Sequence, residues 1–308
     1  MKRIINTVTL SFIFSFNTIT FGIEATQLRY DHSNNIITIS QQDLANNDAE
    51  FERKLLQGAK DGIFYIEMSE QCKSLIFYAF DFGNSFYKDD ALKNQQFPSF
   101  SGYHDRENAQ VESFYGEYSL WQEIFSTEIN QLATSLKVLS EDLLKKILYL
   151  ITPQIAVNQL EKVTGKTAHN DREYYLFFNH YRPEKNLIGM GPHKDSGFIT
   201  LLSANKQGLI VKLKDIWGSI LPKENHFIIH FNNALEMLIN DTSKLTAVLH
   251  AVEQIKDHDG RISFGLSIEG APDSSLYKLA ENGSLEEIHT NYQTYLKEFF
   301  KKLYDAIN

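Results

Sequence analysis

The chain of 308 residues holds a single cysteine, Cys72. An intramolecular disulfide and a cysteine-rich metal site are therefore excluded, so any metal must be held by His, Asp or Glu. Proline is scarce at 6, and no long Ser/Gly tract occurs, which leaves no stretch with the composition of a disordered linker. An excess of positive charge is also missing: 30 Lys and Arg stand against 39 Asp and Glu, a formal net charge of −9. That acidic balance argues against a nucleic-acid-binding surface, which would be basic. What is present is ordinary for a soluble globular protein with a substantial core: 43% hydrophobic residues, 22% charged, and many aromatics, with 22 Phe and 15 Tyr.

The first 25 residues stand apart. Lys2 and Arg3 precede a largely apolar run from Ile4 to Ile23, followed by the small residue Ala25. Basic, then apolar, then small is the order of a secretory signal peptide. The competing reading is an N-terminal strand or helix that joins the fold. Asn6, Asn17 and several Thr and Ser interrupt the run, which argues against a membrane span.

Beyond the leader we expect one domain over 26–308, because no linker divides it. A helix-rich part covers 36–165. It opens with a short strand at Ile36 to Ile39 and a helix over Asp43 to Gly62, with Phe51, Leu55, Leu56 and Ala59 on one face. A strand follows at Ile63 to Ile66, then a helix over Ser69 to Tyr87. Lys88 to Ser119, with Pro98, Gly102 and Gly116, reads as loop. From Leu120 the helical spacing is strong, through Trp121, Ile124, Phe125, Ile129, Leu132 and Leu136, and Ser140 is placed to cap a further helix over Glu141 to Ile151. After about Arg172 short apolar runs alternate with turn residues as far as about 270, the texture of a β-sandwich or barrel. The tail over 285–306 returns to helical spacing, with Ile288, Tyr292, Tyr295, Leu296, Phe299 and Leu303 on one face.

Chemistry concentrates in the β-rich part. His193 and Asp195 follow Gly191-Pro192 and are two residues apart. On an extended backbone such residues share a face, so an imidazole and a carboxylate can converge on one cation. An isolated His-x-Asp is weak evidence, since on the order of one is expected by chance in a chain like this. His169-Asn170-Asp171 is such a decoy, set among charged residues that read as a solvated turn. A third ligand is available at His250, inside the apolar run Val248 to Val252. By itself His250 reads as a core histidine. With His193 and Asp195 it completes a two-histidine, one-carboxylate set, which occupies one face of an octahedral metal and leaves positions open. Arg261 and Ser263, eleven and thirteen residues beyond His250, share a strand face. A guanidinium beside a hydroxyl in a β core can clamp a carboxylate; alone, the pair reads as an edge strand facing water. Asn179 and Tyr181 share a face upstream, or else mark the strand end before the turn at Arg182-Pro183.

Taken in order, these segments resemble the isopenicillin N synthase-like family of Fe(II)/2-oxoglutarate-dependent dioxygenases. His193-Lys194-Asp195-Ser196-Gly197 and Ile199-Thr200-Leu201-Leu202 are similar to the family's His-x-Asp segment. Asn232-Asn233-Ala234-Leu235-Glu236, then Ile239-Asn240 and Lys244, resembles the run that leads to its distal histidine, here His250. Arg261-Ile262-Ser263 falls at its Arg-x-Ser, and Asn179-His180-Tyr181-Arg182-Pro183 resembles its Asn-x-Tyr-x-Pro element. The likeness extends from about Ile36 to Tyr304. One departure is Ala251, where the family commonly has Arg after the distal histidine.

The resemblance implies a fold that is mainly β with flanking helices, built on a double-stranded β-helix, or jelly-roll, core. It implies Fe(II) at His193, Asp195 and His250. It implies 2-oxoglutarate as co-substrate, its far carboxylate at Arg261 and Ser263 with help from Tyr181 and Asn179. The implied reaction uses O2 to oxidise, by default to hydroxylate, a small organic substrate, with release of succinate and CO2. A monomer without nucleic-acid partner or stable membrane span is expected. Fe(II) and 2-oxoglutarate are mainly intracellular, which favours cytoplasmic chemistry against the secretory reading of the leader. Three alternatives remain at this point: an oxidase of the same family that does not use 2-oxoglutarate, a Zn hydrolase on the same ligands, and a non-catalytic binding module. Against the hydrolase, no His-Glu-x-x-His motif occurs; against the module, no ligand is missing. The regions placed to read the substrate are 88–119, the turn near Asn205 and the C-terminal helix.

Overall fold

The structure, a computed structural model, describes residues 30–97, 100–153, 155, 162–164 and 173–305. The leader over 1–25 and the decoy at His169 and Asp171 lie outside the described residues.

Two sheets make the core. The larger runs, in spatial order, Thr38–Ile39, Ile63–Glu67, His226–Phe231, Ile199–Ala204, Arg261–Glu269, Glu173–Tyr181, Val111–Glu117 and Gly102–Asp105. The smaller runs Tyr30–Asp31, Ile216–Ser219, Leu209–Leu213, Leu249–Val252 and Met190–His193. From residue 190 onward the chain passes back and forth between the sheets, as the expected jelly roll requires. Strand periodicity decides what each surface holds. In the strand Arg261–Glu269, Phe264, Leu266 and Ile268 enter one core with Phe178, Leu201, Ile229 and the helices. Arg261 and Ser263, at alternate positions, therefore project to the other face, between the sheets. The space between the sheets has its own apolar floor of Tyr65, Leu202, Leu209, Val211, Ile228 and Val248. Each such side chain contributes roughly 1.5–3 kcal/mol when buried.

Helices cover the outer face of the large sheet. Glu70–Ser85 starts on Ser69, whose hydroxyl accepts from the Cys72 amide, and Thr127–Ile151 starts on Ser126, which accepts from Ile129. No helix among the described residues is long and apolar enough to cross a membrane.

Four expectations need correction. The helix over 43–62 is two helices, Gln41–Asn46 and Ala49–Asp61, because Asn47 adopts a left-handed φ of 46° and Asp48 caps the second. Ser140 is no cap: it lies inside the continuous helix Thr127–Ile151 and donates to the Lys137 carbonyl at 2.9 Å. The region 88–119 is not merely loop, since Gly102–Asp105 and Val111–Glu117 extend the large sheet. In Val111–Glu117 the alternation is hidden because both faces are covered, and Glu112 is buried in a pair with His180 Nδ1 at 2.7 Å. The tail helix begins at Tyr292 rather than 285, since Leu285–His289 pairs as a strand with Leu276–Leu279.

Candidate metal centre

The small sheet places His250 directly opposite His193, with ring centroids 4.2 Å apart. The strand Met190–His193 ends at the first of these, so Asp195 is not on a strand as its spacing suggests. It is held by the segment that follows. The Asn233 amide donates to the Asp195 carbonyl at 2.9 Å, and the Ala234 amide lies 3.1 Å from the Ser196 carbonyl and 3.0 Å from that of Gly197. Lys194 pairs with Glu236 at 2.6 Å across the same junction. Asp195 Oδ1 then lies 3.5 Å from His193 Nε2 and 3.6 Å from His250 Nε2.

Both imidazoles are oriented from behind. His193 Nδ1 is 2.8 Å from the Gly191 carbonyl and His250 Nδ1 is 3.2 Å from that of Val248. A carbonyl only accepts, so each Nδ1 carries the proton and each Nε2 presents a lone pair. Burial, together with His193, pushes the His250 pKa down to about 3, so its ring is neutral near pH 7. Burial opposes ionisation of Asp195, yet the imidazoles of His193, His250 and His230 keep its carboxyl well below the usual carboxylate range. Two nitrogen lone pairs and a carboxylate oxygen thus face one another, and one atom from each residue lies within 4.8 Å of the others. The donor set fits a divalent first-row metal bound on one face, with positions left open.

Arg261, Ser263, Asn179 and Tyr181 also come together. Arg261 pairs in register with Tyr181, and Ser263 with Asn179. The guanidinium carbon lies 4.8 Å from the Tyr181 ring centroid. Arg261 is 1% exposed. Its Nε donates to the Lys206 carbonyl at 3.1 Å, while its Nη1 has no hydrogen-bond partner among the described residues. Burial lowers its pKa, and Tyr181 is the group that opposes the fall. Asn179 accepts from Ser113 at 2.7 Å, which leaves its amide nitrogen to offer a ligand. Asn205 accepts from the Ile262 amide at 2.8 Å, so the turn expected to read substrate also fixes the strand that bears Arg261.

Two groups of residues close to the ligands had no role assigned from the sequence, although Thr200 and Asn232 fall in the segments that carry the resemblance. One is Thr200, His230 and Asn232, described below. The other joins the C-terminal helix to the ligand segment. Tyr295 donates to the Ser196 carbonyl at 2.7 Å, and Tyr292 and Ser196 donate to Glu269 at 2.8 and 3.2 Å. Burial pushes the Glu269 carboxyl up to about 7, with the Asp195 charge adding to the rise and hydrogen bonds opposing it. Between its ordinary value and about 7 the folded protein holds a proton that the unfolded chain has released. Stability therefore falls as pH rises through that window, by up to about 3 kcal/mol. Melting temperatures of metal-free protein between pH 5 and 8 should show this fall, and Glu269→Gln should remove it. An identical pH slope in the variant would assign the effect to other groups.

Fold and site together define a jelly roll with a two-histidine, one-carboxylate cluster that could hold a metal, and a buried arginine with an unpartnered nitrogen. A family model described as the 2OG-Fe(II) oxygenase superfamily matches residues 172–269, the stretch that holds all of these residues. Over this stretch the chain is similar to that superfamily. Among curated proteins it is similar to gibberellin 2-beta-dioxygenase 1 of Arabidopsis thaliana, 27% identical over 140 residues, or 42% of this chain and 41% of that protein. It is also similar to jasmonate-induced oxygenase 2 of the same plant, 32% identical over 102 residues, or 32% of this chain and 26% of the relative. The chain thus matches well under half the length of these relatives. Among solved structures, Neurospora crassa T7H in complex with alpha-KG superposes with a TM-score of 0.69 at 17% identity, covering 86% of this chain and 95% of that one. JOX2 in complex with 2OG, Fe and JA gives 0.68 at 17% identity, covering 86% and 84%. These two likenesses show the fold.

Proposed function

We propose that the chain is an Fe(II)- and 2-oxoglutarate-dependent dioxygenase that oxidises, by default hydroxylates, a small organic substrate with release of succinate and CO2. The observation that carries this reading is the state of Arg261. A buried guanidinium with an unpartnered nitrogen is costly unless an anion completes it, and a carboxylate matches its fork. That clamp lies between the same two sheets as the metal ligands. A small diacid can then be held at both ends, one at the metal and the other at Arg261.

Fe(II) at His193, Asp195 and His250 would supply redox chemistry with O2 at the open positions. The residues of this chain do the rest. Arg261 neutralises and orients the far carboxylate, Ser263 and Tyr181 add hydroxyl donors, and Asn179 adds an amide. The apolar floor of Leu202, Val211 and Ile228 limits water around the reacting groups.

The test is an anaerobic titration of the Fe(II)-loaded protein with 2-oxoglutarate, followed by admission of O2. A visible charge-transfer band that saturates with 2-oxoglutarate is expected, with one succinate formed per O2 consumed. Uptake of O2 with neither band nor succinate would replace this reading with the oxidase, in which the clamp holds a substrate carboxylate.

A further inference from the structure

Behind Asp195 lies a closed set of polar side chains with one self-consistent pattern of hydrogen bonds. Thr200 Oγ1 is 2.9 Å from Asp195 Oδ2, Asn232 Nδ2 is 2.9 Å from Thr200 Oγ1, and His230 Nδ1 is 3.1 Å from Asn232 Oδ1. Thr200, Asn232 and His230 are exposed by only 1%, 0% and 3%. The direction of each bond follows from the carboxylate, which can only accept. The single Thr200 proton must go to Asp195, so Thr200 must accept from Asn232. The Asn232 amide nitrogen therefore faces Thr200 and its oxygen faces His230, whose Nδ1 must carry the proton. His230 Nδ1 lies 3.8 Å from Asp195 Oδ2, too far to bond it directly.

This pattern treats the two oxygens of Asp195 differently. Oδ2 is held by the relay, while Oδ1 is the oxygen nearest both ligand nitrogens. We propose that His230 is a positioning residue for the metal centre, acting through Asn232 and Thr200 to hold Oδ2 of Asp195 and leave Oδ1 as the sole metal-facing oxygen. The relay would leave one oxygen of the carboxylate for a metal, the other being engaged by Thr200. It rests on the metal site proposed above. His230 is the third imidazole near the site, its ring 4.9 Å from that of His250, with its Nδ1 engaged by Asn232.

The test uses metal-free full-length chain and Co(II) alone as the probe, with affinity read from the visible absorption of bound Co(II). Thr200→Val keeps the shape and removes the donor, and should weaken Co(II) about 10–100-fold, the range of partners that orient a metal ligand. Thr200→Ser should restore binding. His230→Phe should weaken binding, and His230→Asn, which can place a donor near the Nδ1 position, should restore it. Because the relay acts as one unit, Thr200→Val combined with His230→Phe should bind no more weakly than Thr200→Val alone. Melting curves of the metal-free variants confirm that each is folded, and if Thr200→Val is not, the two His230 variants decide. Wild-type affinity in Thr200→Val, equal losses in His230→Phe and His230→Asn, or additive losses in the double variant would overturn the relay. Failure of the unaltered chain to take up Co(II) would instead overturn the metal site itself.

Discussion

Asp195→Ala and His193→Ala proteins are expected to lose Fe(II) on desalting, with affinity down by more than about 100-fold. That exceeds the roughly 10–100-fold range of residues that merely orient a ligand. The reason is geometric. Oδ1 of Asp195 lies within 3.6 Å of both ligand nitrogens, so each of the three residues faces the other two. Metal that binds only the folded state raises stability by about 2.7 kcal/mol at 100 times its Kd. The rise in melting temperature that added Fe(II) or Co(II) gives the unaltered chain should therefore vanish in both variants. Stoichiometric iron with an undiminished rise in either would remove the centre from these residues. The variants should fold, because relieving two lone pairs and a carboxylate of mutual repulsion does not unmake either core.

Arg261 should separate binding of the co-substrate from binding of the metal. Arg261→Ala is expected to raise the 2-oxoglutarate KM by roughly 30- to 5,000-fold, which corresponds to the about 2–5 kcal/mol lost when one partner of a buried charge pair is removed. Arg261→Lys should recover only part, since a point charge cannot offer the planar fork. Co(II) affinity should remain unchanged in both. Stability should move the other way. In the ligand-free protein the guanidinium is buried with an unpartnered nitrogen, so Arg261→Met should be neutral or stabilising. Thermal melts with and without 2-oxoglutarate check this: the variant should melt at or above the parent temperature alone, and gain nothing from the ligand. An unchanged KM in Arg261→Ala would move the clamp elsewhere.

Much of the site was legible because strand periodicity is strict. Arg261 and Ser263 alternate with Ile262 and Phe264, and Asn179 and Tyr181 alternate with Phe178 and His180, so the two pairs had to share faces. His250 was legible only in company, and His230 shows why. It too sits in an apolar strand, Phe227 to Phe231, so the same signal that raised His250 was available for it. Neither Thr200 nor Asn232 has a spacing that points to chemistry, and Glu269 reads as an ordinary strand end. Their roles arise from approach across the fold, over 32 residues between Thr200 and Asn232 and 23 between Glu269 and Tyr292. The strand at Val111–Glu117 was hidden because a strand covered on both faces loses its alternation. The strand Leu285–His289 was absorbed into the helix that follows it, since Ile288 and Tyr292 fit a helical stripe as well.

The sequence by itself determined which residue types were available for a metal, the alternation that turns Arg261 and Ser263 inward, and the order of segments that the superfamily core matches. Only the tertiary structure decided that Asp195 sits on an irregular segment held by the Asn233 amide, which oxygen of its carboxylate Thr200 engages, and that Arg261 is buried with an unpartnered nitrogen. The physical reason is range. Alternation is set by the backbone over two residues, whereas hydrogen-bond direction and burial are set by groups that meet only when two sheets and a helix close on one another.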